Sequence, residues 1–127
     1  MGAAPTSNRI PNRGPMNEFV GPFDVVSKLT DDAYHVRFSH MWNGIATRHS
    51  DTVDTKFFVD GHKVIVGLAH TGLVTLAAQM NRTVTDRETS YLAAEYLRER
   101  LEQADDRTLL DVSHDEVLRL SEKIGLR

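Results

Sequence analysis

The sequence contains no cysteine. That absence excludes disulfide frameworks, thiolate metal sites, redox dithiols and cysteine nucleophiles. All four prolines fall within the first 22 residues, so nothing after them interrupts a helix or strand by that route. No apolar run approaches the ~20 residues that a membrane-spanning helix needs, and no secretory stretch stands near Met1. Together these features predict a soluble, cytoplasmic protein. A formal charge of −3 argues against bulk attraction to nucleic acid. The chain also lacks a Gly-x-x-x-x-Gly-Lys phosphate loop, a Gly-x-Gly-x-x-Gly turn, a Gly-x-Ser-x-Gly elbow and a His-Glu-x-x-His pair.

What remains is an ordinary globular composition. The 127 residues are 40% hydrophobic and 26% charged, enough for one domain with one core. The stretch from Pro5 to Pro15 is rich in Pro, Asn, Gly and Arg and has no periodicity. It predicts a flexible leader over residues 1–20 and a single domain over 21–127.

Along the domain the pattern changes once, near His70, from period two to a period near 3.6. Phe23 to Leu29 reads as a strand, with Phe23, Val25 and Leu29 on one face, followed by a Thr30-Asp31-Asp32 turn. Tyr34, Val36 and Phe38 alternate with polar residues as a second strand. Asn43-Gly44 and Asp60-Gly61 are both favoured pairs for a type I′ hairpin, whose central residues need positive φ. The second turn pairs Phe58 with Lys63 and Phe57 with Val64. It therefore places Phe57, Val59, Val64, Val66 and Leu68 on one face, and Lys56, Phe58, Lys63 and Ile65 on the other.

Helical signals follow. Thr71 reads as the cap of a helix carrying Leu73, Leu76, Ala77 and Met80. Thr85 and Glu88 form a capping box ahead of a helix that buries Ala93, Ala94, Leu97 and Leu101 and turns Glu95, Arg98, Glu99 and Glu102 to water. Leu109 to Val112 is a short strand, and Ser113 with Glu116 predicts a second capping box before a final helix. The fold class is therefore α+β. An antiparallel meander of about four or five strands with two tight hairpins precedes about three helices, packed on one sheet face.

Histidine supplies the candidate chemistry. A two-residue Asn43-Gly44 loop would pair His40 with Thr47 and Phe38 with His49. His40 and His49 would then lie diagonally on one face with Asp51 nearby, a donor set that suits zinc or non-haem iron. His70, Thr71 and Gly72 would stand at a helix N-terminus, where unpaired N–H groups favour a small anion. A nucleic-acid contact would have to use Arg98, Arg100, Arg107, Arg119, Lys123 and Arg127 of the last helices, which are interleaved with acids. The half-apolar face of Lys56, Phe58, Lys63 and Ile65 is a candidate dimer surface.

The stretch from Lys56 to Val112 is similar to small bacterial domains built as a hairpin, two helices and a closing strand. Phe57, the Asp60-Gly61 turn, Val64, Val66 and the helix around Tyr91 to Leu101 carry the likeness. It implies no activity and no cofactor. The sequence by itself therefore points to a binding module acting as a homodimer. Metal, anion and nucleic-acid readings stand as its alternatives.

Overall fold

A computed structural model describes residues 16–127. The expected leader lies mostly outside the described residues. Ahead of the expected domain boundary, however, Val20 is buried and its backbone N–H donates to Ser90 Oγ at 3.1 Å.

The fold is α+β. Strands β1 (Phe23–Val26), β2 (Ala33–Asn43), β3 (Thr52–Val59) and β4 (His62–Ala69) form an antiparallel meander, with a short helix α1 (Gly44–Arg48) between β2 and β3. Helices α2 (His70–Met80) and α3 (Asp86–Glu102) then lead to β5 (Leu109–Val112), and α4 (His114–Lys123) closes the chain. The sheet order is β1-β2-β3-β4-β5. β1 to β4 are the antiparallel meander expected, and β5 joins it parallel to β4, so the sheet is mixed. The two-helix crossover explains the difference, because it returns the chain to the end of the sheet from which β4 started.

The hairpin at Asp60-Gly61 forms with the expected register: Val59 opposes His62, Phe58 opposes Lys63 and Phe57 opposes Val64. Both turn residues have positive φ, 51° and 83°. The hairpin at Asn43-Gly44 does not form. Asn43 is instead the N-cap of α1, its side chain accepting from the Ile45 N–H at 2.8 Å, and β3 begins only at Thr52. β1 is also shorter than expected. It ends at Val26, Ser27 Oγ accepts the Leu29 and Thr30 N–H groups, and Leu29 is turned outward at 66% exposure.

A register shift between Phe38 and His40 leaves Ser39 unpaired. This bulge reverses which side chains face which way. Val36 and Phe38 stand opposite Val59 and Phe57 on the core side, whereas His40 and Trp42 stand opposite Lys56 and Asp54 on the other. The sequence parity had placed all of them together.

Helices α2, α3 and α4 cover the core side, where Val25, Val36, Phe57, Val66, Leu68 and Leu110 meet Tyr91, Leu92, Leu97 and Leu120. α2 starts two residues earlier than expected, with Ala69 in place of Thr71 as an N-cap, and Ala69 supplies no side-chain acceptor. Gly72 lies where α2 meets α4; a Cβ there would come within 2.8 Å of Val117 Cβ. The Thr85–Glu88 capping box has both its arms. The second box has one: Ser113 Oγ accepts from Glu116 N–H at 3.3 Å, while the Glu116 carboxylate is drawn to Arg119.

The polar side of α3 is not in water. Glu95, Arg98 and Glu102 are buried, with Arg98 joined to both carboxylates. Lys123 reaches Glu95 and Glu99 at 3.0 and 2.6 Å, and Arg119 reaches Glu99 at 2.7 Å. The helix is enclosed by α4 on one flank and by β1 and the Lys28 turn on another, so its charges are matched across elements.

Candidate functional site: the open face of the sheet

Helices cover one face of the sheet, and the strand registers lay the other out in three rows. Arg37, Phe58 and Lys63 run across β2, β3 and β4. His40, Lys56, Ile65 and Leu109 form the second row, which reaches β5. Trp42, Asp54, Gly67 and Asp111 form the third.

Short helix α1 returns the chain over the third row. The Arg48 guanidinium donates to both Asp54 oxygens at 2.8 and 2.9 Å, and to Asp111 at 2.8 Å. It spans Gly67, where any Cβ would overlap it. Burial pushes the Asp54 carboxyl up, but the bonds from Arg48 and Thr52 outweigh it and hold the group below the ordinary range. The same bonds, with Asp54 first, raise Arg48 further above its already high value. Asp54 is therefore a fixed anion and Arg48 a fixed cation. Neither is placed to exchange a proton near neutrality.

The first two rows carry a different balance. Phe58 is half-buried because its own neighbours cover it: the Arg37 guanidinium lies 4.6 Å and the Lys56 ammonium 5.0 Å from its ring centroid. The Trp42 ring sits 5.0 Å from that of His40, and its Nε1–H donates to Thr47 Oγ1 at 2.9 Å. Between the rows is a concavity of about 550 Å³ lined by His40, Trp42, Arg48, Lys56, Lys63 and Ile65 among others. The acids of this face are engaged, Asp24 with His35 at 2.8 Å and both Asp54 and Asp111 with Arg48. Arg37, Lys56 and Lys63 have no carboxylate partner among the described residues.

Lys56, Phe58, Lys63 and Ile65 do share one uncovered face, as the sequence predicts. The other candidates are dispersed. His40 is on the open face, His49 is the left-handed C-cap of α1, and Asp51 lends its backbone carbonyl to the His70 N–H at 3.0 Å. The hairpin pairing that would have joined them is absent, and no group of three potential metal ligands occurs among the described residues. His70, Thr71 and Gly72 diverge as well. His70 lines a separate cavity of about 220 Å³ with Leu73 and Val84, Thr71 is exposed, and Gly72 packs on α4. His114 is more than a surface residue, since its Nε2 lies 3.0 Å from Thr75 Oγ1 across the α2–α4 contact.

Most cations of the last helices are engaged. Arg98, Arg107, Arg119 and Lys123 are all ion-paired, and Arg100 lies over Tyr96. Sequence reasoning missed Arg37, Trp42 and Arg48 as members of the open face. For Asp54 a signal was present: Val53, Thr55, Phe57 and Val59 claim the core parity and leave Asp54 on the other side.

Comparison of the chain with family models, curated proteins and solved structures finds no match. Among the described residues no helix is long and apolar enough to cross a membrane.

Proposed function

We propose that this protein is a non-catalytic binding module and that the open face of its sheet takes up an anionic partner. One observation carries this reading: among the described residues Arg37, Lys56 and Lys63 stand together with no carboxylate partner, in a chain whose net charge is −3. Like charges gathered at one place destabilise the folded state by self-repulsion, and a bound anion relieves that repulsion. The acidic helices lie behind the sheet, and at physiological salt charges separated by more than about 8 Å are largely screened.

Inorganic polyphosphate is the probe that tests it, followed through the fluorescence of Trp42, the one tryptophan of the chain. The double substitution Lys56→Ala/Lys63→Ala should weaken binding by about tenfold at low salt. Lys28→Ala, which removes a charge elsewhere, should leave it unchanged. Equal behaviour of the two variants, or no binding by the parent, overturns the reading.

A second reading is a homodimer joined through the same face, and Ile65 and Leu109 favour it. They stand opposite each other across β4 and β5, with Leu109 46% exposed. Sedimentation over a range of concentrations decides the matter. A dimer split by Phe58→Glu supports this arrangement, and a parent that stays monomeric excludes it.

A further inference from the structure

We infer that the anionic partner is a single-stranded nucleic acid, bound along β3 with its bases stacked on Trp42 and Phe58. The inference rests on the reading of the open face as the anion-binding surface, and adds to it the class of ligand. Charge alone would serve any polyanion. The cations without a carboxylate partner among the described residues, however, are interleaved with aromatic rings: Arg37 and Lys56 lie over Phe58 and would pass from its ring to the phosphates as a base takes their place, while Lys56 and Lys63 line the concavity that also holds Trp42 and His40. Alternating flat rings and cations on an uncovered surface suit a chain that alternates bases and phosphates.

The spacing favours a strand over a mononucleotide. Trp42 stands opposite Asp54, and Phe58 lies four residues further along β3. At 3.3–3.4 Å per residue the two rings are roughly 13 Å apart along the strand. One base cannot touch both. A duplex fits poorly too, because its bases are already stacked and paired, whereas unpaired bases are free to lie on side chains. Arg48 offsets one of the two charges of Asp54 and Asp111, so the phosphates belong beside Arg37, Lys56 and Lys63 on the first two rows. This assignment differs from a contact through the last helices, where Arg98, Arg119 and Lys123 are already paired.

The test is the binding of an oligothymidylate of about ten residues, within the site sizes common for such surfaces. We expect saturable quenching of Trp42. With about three phosphate contacts on a single strand, the slope of log K against log salt should be near −2, or about a twentyfold loss between 50 and 200 mM. Lys56→Ala should reduce the slope by about 0.7. Phe58→Leu keeps apolar volume and loses the ring, and should weaken binding about fivefold or more in a variant that melts like the parent. Phe58→Tyr should bind as the parent does.

Several results overturn the assignment. A matched duplex or thymidine monophosphate that binds as tightly does so, as does a Phe58→Leu variant with unchanged affinity. If polyphosphate binds at least as well as the oligonucleotide, the nucleic-acid assignment falls and the anion-binding reading stands. If neither binds, both fall. A parent found to be a dimer that buries this face also overturns it.

Discussion

Arg48 lies across Gly67, and the absence of a side chain at that one position lets the guanidinium reach Asp54 on β3 and Asp111 on β5 together. A Cβ at Gly67 would overlap the Arg48 Nη2 position and come within 2.6 Å of Asp54 Oδ1. The Asp54 side chain is only 1% exposed, so it cannot move aside into water. Gly67→Ala should therefore eject Arg48 and leave a buried carboxylate without its partner. Buried pairs broken on one side cost about 3–5 kcal/mol. Arg48 keeps 25% of its side chain exposed, which puts this case at about 3 kcal/mol or less. Denaturant melts of Gly67→Ala and Arg48→Met measure it. Gly67→Ala should cost at least as much as Arg48→Met, because its Cβ also crowds the Asp54 carboxylate.

Gly72 tests helix packing by a competition of two effects. Alanine in place of glycine within a helix is worth up to about 1 kcal/mol. The added Cβ would, however, lie 2.8 Å from Val117 Cβ and 3.2 Å from the His114 Cα on α4. Overpacking of that kind costs about 1–3 kcal/mol. Gly72→Ala should be destabilising by about 1 kcal/mol, measured by thermal or denaturant unfolding. A stabilised variant would mean the two helices do not approach as closely as described.

The two helix caps should rank unequally. Thr85 and Glu88 satisfy each other's backbone N–H groups, whereas Ser113 accepts a single 3.3 Å bond. Thr85→Ala should cost about 1–2 kcal/mol and Ser113→Ala about 0.5 kcal/mol, within the usual span for lost caps. Chemical denaturation of the pair checks the order.

Acid should weaken the α3–α4 contact. Burial pushes the Glu99 carboxyl up, but bonds from Arg119 and Lys123 more than reverse this and lower it from 4.5 to about 2. A carboxyl with a depressed value contributes stability in full above the unfolded value and loses it as pH falls through the folded one. The Glu99 contribution should therefore be constant above about pH 5 and fade between pH 4.5 and about 2. Arg119 and Lys123 are 44% and 42% exposed, so solvent keeps the contribution to on the order of 2 kcal/mol. Glu99→Gln should lower stability at neutral pH by about that much and flatten the acid limb of the stability profile.

Much of this fold was legible because short-range chemistry decided it. Asp60-Gly61 sits between two runs of strand formers, so the turn and the register follow from the residues beside it. Thr85 and Glu88 are likewise sufficient for their own helix start. Asn43-Gly44 was ambiguous for a physical reason. Asparagine suits a left-handed turn and also suits an N-cap, and only the distant pairing of β2 with β3 chooses between them. That choice, with the bulge at Ser39, moved His40 and Trp42 to the open face and dissolved the expected meeting of His40, His49 and Asp51. The buried charges of α3 were illegible for the same reason, since Lys28, Arg119 and Lys123 come from other elements.

Because β5 joins the sheet only after α2 and α3, the last wall of the concavity is delivered by the far end of the chain. Thr108 and Leu109 line it, and Asp111 completes the grip on Arg48 from 63 residues away. Closing so long a loop is costlier than closing the β3–β4 hairpin, so the open face is finished late in folding. Anything seated in it acts as a clasp between the two halves of the molecule. A ligand for that face should therefore slow amide exchange in α4, a segment it does not itself touch.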